Sequence, residues 1–192
     1  MQKKSWIQEF VGEWNTRTIV GVAIGAALFG VLMNYGSIPV FGNTKLTTAM
    51  LVPVIVGGLF GPLPAFFASF FGNVVADTLG GWGYWFDWSV GNGILALLVG
   101  LLPFYGAKIT EGVFTVKHAV IFGIIAVLGN GLAFGVVTPI LTYLLYGGEL
   151  TITFIQALVG SVSNILVLTV LGIPLLFALA KRHASGQNLS KE

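Results

Sequence analysis

A sixteen-residue stretch, DTLGGWGYWFDWSVGN (77–92), concentrates aromatic rings and acids in a chain that is otherwise strongly apolar. It holds three tryptophans, two further aromatic residues, and the carboxyl groups of Asp77 and Asp87. Rings in a glycine-rich loop can fold over a flat or partly apolar solute and stack on it. An aromatic belt at a membrane surface explains one or two tryptophans, but it explains the whole cluster less well. We therefore interpret the stretch as part of a solute site.

Asparagine recurs beside small residues on four segments, at Asn73, Asn92, Asn130 and Asn164. The four amides could converge on one polar cavity, or they could only join helices by hydrogen bonds and hold a bundle together. From placement, aromatic residues are predicted to cover the solute, amides to bind its polar edge, and an acid to orient it. The predicted solute-binding residues are Asn43, Asp77, Trp82, Tyr84, Trp85, Trp88, Asn92, Asn130 and Asn164.

Composition excludes most soluble classes, because 56% of the 192 residues are hydrophobic and only 8% are charged. So few charges cannot coat a soluble domain of this size, and the bilayer is the expected solvent. The net charge of +2 does not indicate a nucleic-acid partner. There is no cysteine, and His118 and His183 lie beside basic residues, which favours solvated side chains over a metal site.

Enzyme signatures are also absent from the sequence, which contains no G-x-x-x-x-G-K-[ST], H-E-x-x-H or G-x-S-x-G. The chain therefore cannot hydrolyse ATP by the P-loop route. We predict no catalytic residue, no metal and no cofactor.

The elements that position these residues are apolar segments long enough to approach a membrane crossing of roughly 20 residues. Glycine and proline mark the breaks between them. The second segment is short and contains Pro53, so it is either a tilted span or half of a re-entrant hairpin with the third. We predict an all-α integral membrane bundle of six transmembrane helices, at 18–33, 46–59, 63–79, 89–105, 119–146 and 151–180.

The whole chain, 1–192, is predicted to be one membrane domain. An amphipathic N-terminal segment (1–17) can lie in the headgroup plane, although it could equally be a plain lead-in to the first span. The six-helix bundle occupies 18–180, and a cytoplasmic tail occupies 181–192.

The distribution of basic residues predicts the orientation of the chain in a cell membrane. With both termini cytoplasmic, eight basic residues lie inside and only Lys45 lies outside. This arrangement places Asp77, Asp87 and Glu149 on the outer side. The eight inner residues are Lys3, Lys4, Arg17, Lys108, Lys117, Lys181, Arg182 and Lys191.

The first span carries small residues at helical spacing, including Ala23, Ala27 and Gly30. Small side chains allow a neighbouring helix to approach closely, so this face suits docking onto another membrane subunit. The pattern is common in membrane helices, so by itself it is a weak signal of docking.

Several strings, in their order along nearly the whole chain, resemble the substrate-binding S components of energy-coupling factor (ECF) transporters. They are IGAALFGVLM, GNTKLTTA, FGPLPAFFASFFGNVVAD, GGWGYWFDW, NGLAFG and SVSNILV. The resemblance implies a subunit that captures a vitamin from outside. It also implies partners, namely a transmembrane coupling subunit and two ATP-hydrolysing subunits, with Ala23 and Ala27 on the docking surface.

Within that family the resemblance is nearest to cobalamin-linked members, so cobalamin is the first candidate solute. The outer acids would equally suit a cation such as thiamine or its pyrimidine precursor. A stand-alone secondary transporter or channel, and a membrane scaffold without a solute, are the competing classes. The former would favour a charged relay or an inverted repeat, and neither is clear in the sequence.

Overall fold

The computed structural model describes residues 5–41 and 44–189, and the described chain is mostly helical. The α-helices are α1 (Trp6–Val11), α2 (Thr16–Tyr35), α3 (Leu51–Phe60), α4 (Pro62–Gly80), α5 (Phe86–Val99), α6 (Val116–Leu132), α7 (Thr138–Tyr146), α8 (Leu150–Val167) and α9 (Ile173–Leu189). Short 3-10 turns lie at Thr48–Met50, Leu102–Tyr105 and Ile109–Glu111. Strands β1 (Ser37–Phe41) and β2 (Thr44–Thr47) form an antiparallel pair, so the bundle is not purely α-helical as predicted.

The prediction of six membrane-spanning helices is not confirmed. Within the described residues, five helices are long and apolar enough to cross a bilayer: Thr16–Tyr35, Pro62–Gly80, Phe86–Tyr105, Val116–Tyr146 and Leu150–Gly186. The predicted second span is a shorter apolar helix, Thr48–Phe60. At about 1.5 Å per residue it is roughly 20 Å long, which is less than the roughly 30 Å of a hydrocarbon core.

The short helix brings the chain back from one end of the bundle to the other, so that α2 and α4, which precede and follow it in the sequence, run parallel. Glycines bring α2 and α4 close together, because a Cβ atom added at Gly72 would lie 2.5 Å from the Cβ atom of Phe29. Gly25 faces Ala68, so the two helices run in the same direction. Gly21 faces Phe60 at the far end of α3, which therefore runs antiparallel to α2. The β1–β2 hairpin and α3 together make the return that this arrangement requires.

Two π-helical turns interrupt the long C-terminal spans, at Ala133–Val137 and Leu168–Gly172. Each is followed closely by a proline, Pro139 or Pro174. Proline lacks an N–H group, and its ring collides with the carbonyl four residues earlier, so the preceding turn widens. The first wide turn holds Phe134, which is buried.

The N-terminal segment packs on the bundle as well as facing outward. The ring of Phe10 in α1 lies edge-on to Phe104, 6.3 Å between centroids, and Trp14 lies edge-on to Phe67 at 5.6 Å. Trp6 remains 68% exposed. At the other terminus, the residues predicted as a tail continue α9 as far as Leu189.

Antiparallel packing of the later helices gives the bundle two chemically different ends. The end that contains the start of α2 and the start of α6 carries basic residues among those the structure describes, namely Arg17, Lys108, Lys117, Lys181 and Arg182. The opposite end carries the β1–β2 hairpin, the turn between α4 and α5, and the turn between α7 and α8. Its charged residues, within the described part of the chain, are Lys45, Asp77, Asp87 and Glu149.

Candidate solute site

A cavity of about 450 Å³ opens at the end of the bundle that carries the hairpin. Its walls come mainly from α4, α5, the first π turn, α7 and α8, and α2, β2 and the 3-10 turn after β2 also contribute lining residues. Both its size and its mixture of aromatic and polar walls are typical of a small-molecule site. The lining residues are Met33, Lys45, Thr47, Met50, Asn73, Asp77, Trp82, Trp85, Trp88, Asn92, Phe134, Thr142, Tyr146, Gly148, Glu149, Ile152, Thr153, Gln156, Gly160 and Asn164.

A buried hydrogen-bond network joins α4 to α5 at the wall of the cavity. The Asn73 amide donates from Nδ2 to Asp77 Oδ2 at 3.1 Å and to Ser89 Oγ at 3.1 Å. Asn73 Oδ1 accepts a hydrogen bond from Asn92 Nδ2 at 2.9 Å. Buried polar groups cost free energy unless they are paired, so this network fixes the positions of all four side chains.

The loop between α4 and α5 is attached to this network at one end. Gly81 and Gly83 adopt φ values of 68° and 79°, a region that residues with a Cβ atom rarely occupy. The chain then turns back, and the Trp85 backbone N–H donates to Asp77 Oδ2 at 3.0 Å. Asp77 therefore anchors the aromatic loop directly.

Aromatic contacts hold the same loop against α7. The ring of Trp85 lies edge-on to Tyr146, with 4.9 Å between centroids. The Phe86 backbone N–H donates to the Tyr146 hydroxyl oxygen at 3.0 Å. Deeper in the site, the rings of Trp88 and Phe134 lie 5.6 Å apart. Rings from three different segments thus line the cavity.

The mouth of the cavity is crossed by a contact between the hairpin and the loop. The Lys45 ammonium lies 4.3 Å from the centroid of the Trp82 ring, a cation–π distance. Lys45 is on β2 and Trp82 is in the α4–α5 loop, so the contact joins two segments that are far apart in sequence.

A second pair of amides connects α6 to α8. Asn164 Nδ2 donates to Asn130 Oδ1 at 3.1 Å, and Asn130 Nδ2 donates to the Ala126 carbonyl at 2.7 Å. Asn164 lines the cavity, whereas Asn130 is fully buried behind it. Asp87 is likewise fully buried, and it accepts a hydrogen bond from the lining residue Thr142.

The structure brings together six of the predicted solute-binding residues around the cavity: Asp77, Trp82, Trp85, Trp88, Asn92 and Asn164. Tyr84 is not among the lining residues; it is 49% exposed, and its ring lies edge-on to Phe86. Asn130 supports Asn164 from behind instead of lining the cavity. Asn43 lies outside the described residues.

Of the lining residues on α8, sequence reasoning selected only Asn164, although the spacing of the others is informative. Thr153, Gln156, Gly160 and Asn164 recur at intervals of three or four residues and continue from Glu149. This spacing places polar and small side chains on one face of an otherwise apolar helix. Asn73 was noted among the four asparagines, but its place at the centre of the network follows only from the packing of α4 on α5.

The residues predicted to dock a partner occupy two different faces of α2. Ala23 and Ala27 are exposed. Gly30 is buried, and a Cβ atom added there would lie 2.4 Å from Val75 Cγ1. Gly30 therefore allows α2 to approach α4, and only the two alanines remain available on the outer surface.

Comparison with known proteins identifies the family. Residues 13–181 match the family model described as the ECF-type riboflavin transporter, S component. The chain belongs to this family of ECF S components. The S-component assignment agrees with the resemblance of the sequence strings, and the cobalamin-linked subtype is not confirmed.

Curated relatives of this S component extend over nearly its whole length. A UPF0397 protein of Aliivibrio fischeri is 36% identical over 180 residues, which cover 92% of this chain and 97% of the relative. A UPF0397 protein of Vibrio vulnificus is 37% identical, with 92% and 98% covered. One from Clostridium perfringens is 33% identical, with 92% and 95% covered.

Membership of the family, together with the five long apolar helices, makes the chain a multi-pass membrane protein of a transport system. S components are substrate-binding subunits and not enzymes. They bind a small-molecule vitamin and act with a coupling subunit and ATPases.

Proposed function

We propose that this chain captures a compact, flat solute from the outer side of the membrane and delivers it to a coupling subunit and two ATPase subunits. The observation that carries the proposal is the aromatic cavity at the hairpin end, to which the 77–92 stretch contributes three tryptophans, Asp77 and Asn92. Rings on several segments supply flat apolar walls, and the amides and Asp77 supply polar contacts. This combination binds and orients a ring-containing solute.

The volume of the cavity bears on which solute is bound. Cobalamin, the first candidate from the sequence, has a corrin ring with bulky substituents, part of which would extend outside an open cavity of about 450 Å³. Solutes with one to three rings suit this volume better. Riboflavin is the candidate that the name of the family model supplies, and thiamine or its pyrimidine precursor is the candidate that the outer acids favour.

Reconstitution into lipid vesicles tests the proposed transport role. The purified chain alone, and the chain with its coupling and ATPase subunits, would be assayed with labelled riboflavin, thiamine and cobalamin. We expect the chain alone to bind one of these solutes without accumulating it, and uptake to require both the partner subunits and ATP. Uptake by the chain alone, driven by an ion gradient, would instead identify a secondary transporter.

The orientation of the chain is part of the proposal, because capture from outside requires the cavity to face outward. All of the described basic residues except Lys45 lie at the opposite end, which the positive-inside rule assigns to the cytosol. The native sequence has no cysteine, so single-cysteine variants need no background changes.

We expect Tyr84→Cys to react with a membrane-impermeant maleimide in intact cells, because Tyr84 is exposed in the loop at the cavity. Lys117→Cys, at the start of α6, is the matched control and should react only after the cells are opened. The reverse pattern of labelling would show that the cavity faces the cytosol and would contradict capture from outside.

A further inference from the structure

The amides in the cavity wall have orientations that the backbone determines. Asn92 Nδ2 donates to the Trp88 carbonyl at 3.1 Å as well as to Asn73 Oδ1. A backbone carbonyl only accepts hydrogen bonds, so the NH₂ group of Asn92 must point toward it. Asn92 Oδ1 is then the amide atom left without a partner among the described residues.

The same reasoning applies on the opposite wall. The Ala126 carbonyl fixes the orientation of Asn130, whose Oδ1 atom must therefore accept a hydrogen bond from Asn164 Nδ2. Asn164 Oδ1 is left without a partner within the described part of the chain. Asn92 and Asn164 are 4% and 6% exposed, and both line the cavity.

Asp77 adds a third acceptor to the same cavity. Its Oδ2 atom accepts both of its hydrogen bonds, from the Asn73 amide and from the Trp85 backbone N–H. Its Oδ1 atom therefore has no partner among the described residues. Asp77 is 5% exposed. Three nearly buried side chains on α4, α5 and α8 therefore each present an oxygen acceptor that a bound solute could satisfy.

The charges around the cavity also favour a solute that donates hydrogen bonds. Among the described lining residues there are two acids, Asp77 and Glu149, and one base, Lys45. The Lys45 ammonium lies against the Trp82 ring at the mouth. The unpaired acceptors, together with one more acid than base around the cavity, favour a neutral or cationic solute over an anion.

We propose that the solute is a flat nitrogen heterocycle that presents N–H donors, on an exocyclic amine or a protonated ring nitrogen, to the Oδ1 atoms of Asp77, Asn92 and Asn164. The ring itself would lie among the aromatic side chains, which also attract a cation through their π faces. This inference rests on the proposed capture function and specifies the chemistry of its solute.

Matched pairs of probes that exchange an exocyclic amino donor for an oxo acceptor test the inference. Thiamine and adenine carry an exocyclic amine, and oxythiamine and hypoxanthine carry an oxo group in its place. Riboflavin and the anionic folate extend the panel to a larger ring system and to the opposite charge. Binding to the purified full-length chain in nanodiscs would be measured by thermal shift and by calorimetry. We expect at least one amine to bind about tenfold or more tightly than its oxo partner, and folate not to bind.

Two variants link that preference to the acceptors. Asp77→Asn and Asn164→Leu should each reduce the amine preference severalfold, and the unfolding temperature without solute would show that each variant is folded. Asn34→Leu is the control, because Asn34 bonds to the Gly30 and Ala76 carbonyls and does not line the cavity. It should retain the preference.

Several outcomes would overturn the inference: equal binding of both members of each pair, tighter binding of an oxo probe or folate, or no binding by any probe. A preference that survives in both acceptor variants would also overturn it. The proposed capture function is judged separately, by whether uptake of any solute requires the coupling subunits and ATP.

Discussion

Replacing Ala27 with leucine is expected to reduce ATP-driven uptake by the assembled transporter at least about tenfold, while solute binding by the isolated chain stays unchanged. Ala27 is exposed on α2, away from the cavity-lining residues. A small residue on a membrane helix allows close contact between helices, and a leucine side chain would hold the partner away. The effect should therefore appear in assembly and uptake, and not in affinity for the solute.

The measurement compares co-purification of the coupling subunit, uptake into vesicles, and thermal shift with solute. Ala27→Ser keeps the side chain small and should retain uptake. Ala178→Leu makes the same change at an exposed position of α9 and is the matched control for added bulk in the membrane. Normal assembly by Ala27→Leu would show that the partner docks on another face.

Replacing Asn73 with leucine is expected to lower both the stability of the protein and its affinity for the solute. The substitution keeps the approximate size of the side chain but removes hydrogen bonds to Asp77, Ser89 and Asn92. Leaving buried polar groups unpaired costs roughly 1–3 kcal/mol for each group, and the network can relax only in part. Asp77 and Asn92 would lose their positions at the cavity, so affinity should fall at least about tenfold.

Asn34→Leu separates these two effects. Asn34 joins α2 to α4 through its hydrogen bond to the Ala76 carbonyl and also donates to the Gly30 carbonyl of its own helix, without lining the cavity. It should lower the unfolding temperature and leave the dissociation constant of the solute unchanged. If Asn73→Leu, like Asn34→Leu, lowered stability without changing affinity for the solute, the α4–α5 network would serve only to pack the helices and would not shape the site.

Much of the architecture follows from residue types alone. A chain with 8% charged residues and long apolar segments can satisfy its backbone groups in a bilayer only by forming helices or a closed barrel. Glycine and proline breaks located the long helices to within a few residues at most ends. The second segment was the exception, because apolar composition does not reveal that a β-hairpin and a 3-10 turn make up part of the return between α2 and α4.

The candidate site, like the architecture, could be predicted only in part from the sequence. The tryptophans stand out because they cluster in one glycine-rich loop, and Asp77 stands out because a carboxylate near the end of an apolar helix is costly unless it has partners. The partners themselves are distant in the chain: Asn130 meets Asn164, Asn73 meets Asn92, and Lys45 meets Trp82. No local pattern specifies which amide bonds to which.

The sequence by itself determined that this protein lies in a membrane, where its long helices begin and end to within a few residues, and which loop concentrates its aromatic rings. Those properties depend on solvation and on local backbone chemistry, which each short segment carries on its own. The tertiary structure alone decided which oxygens remain unpaired at the cavity and that Gly30 faces α4 while Ala27 stays exposed. Both depend on how helices rotate about their axes when they pack, and that rotation is set by contacts across the whole bundle.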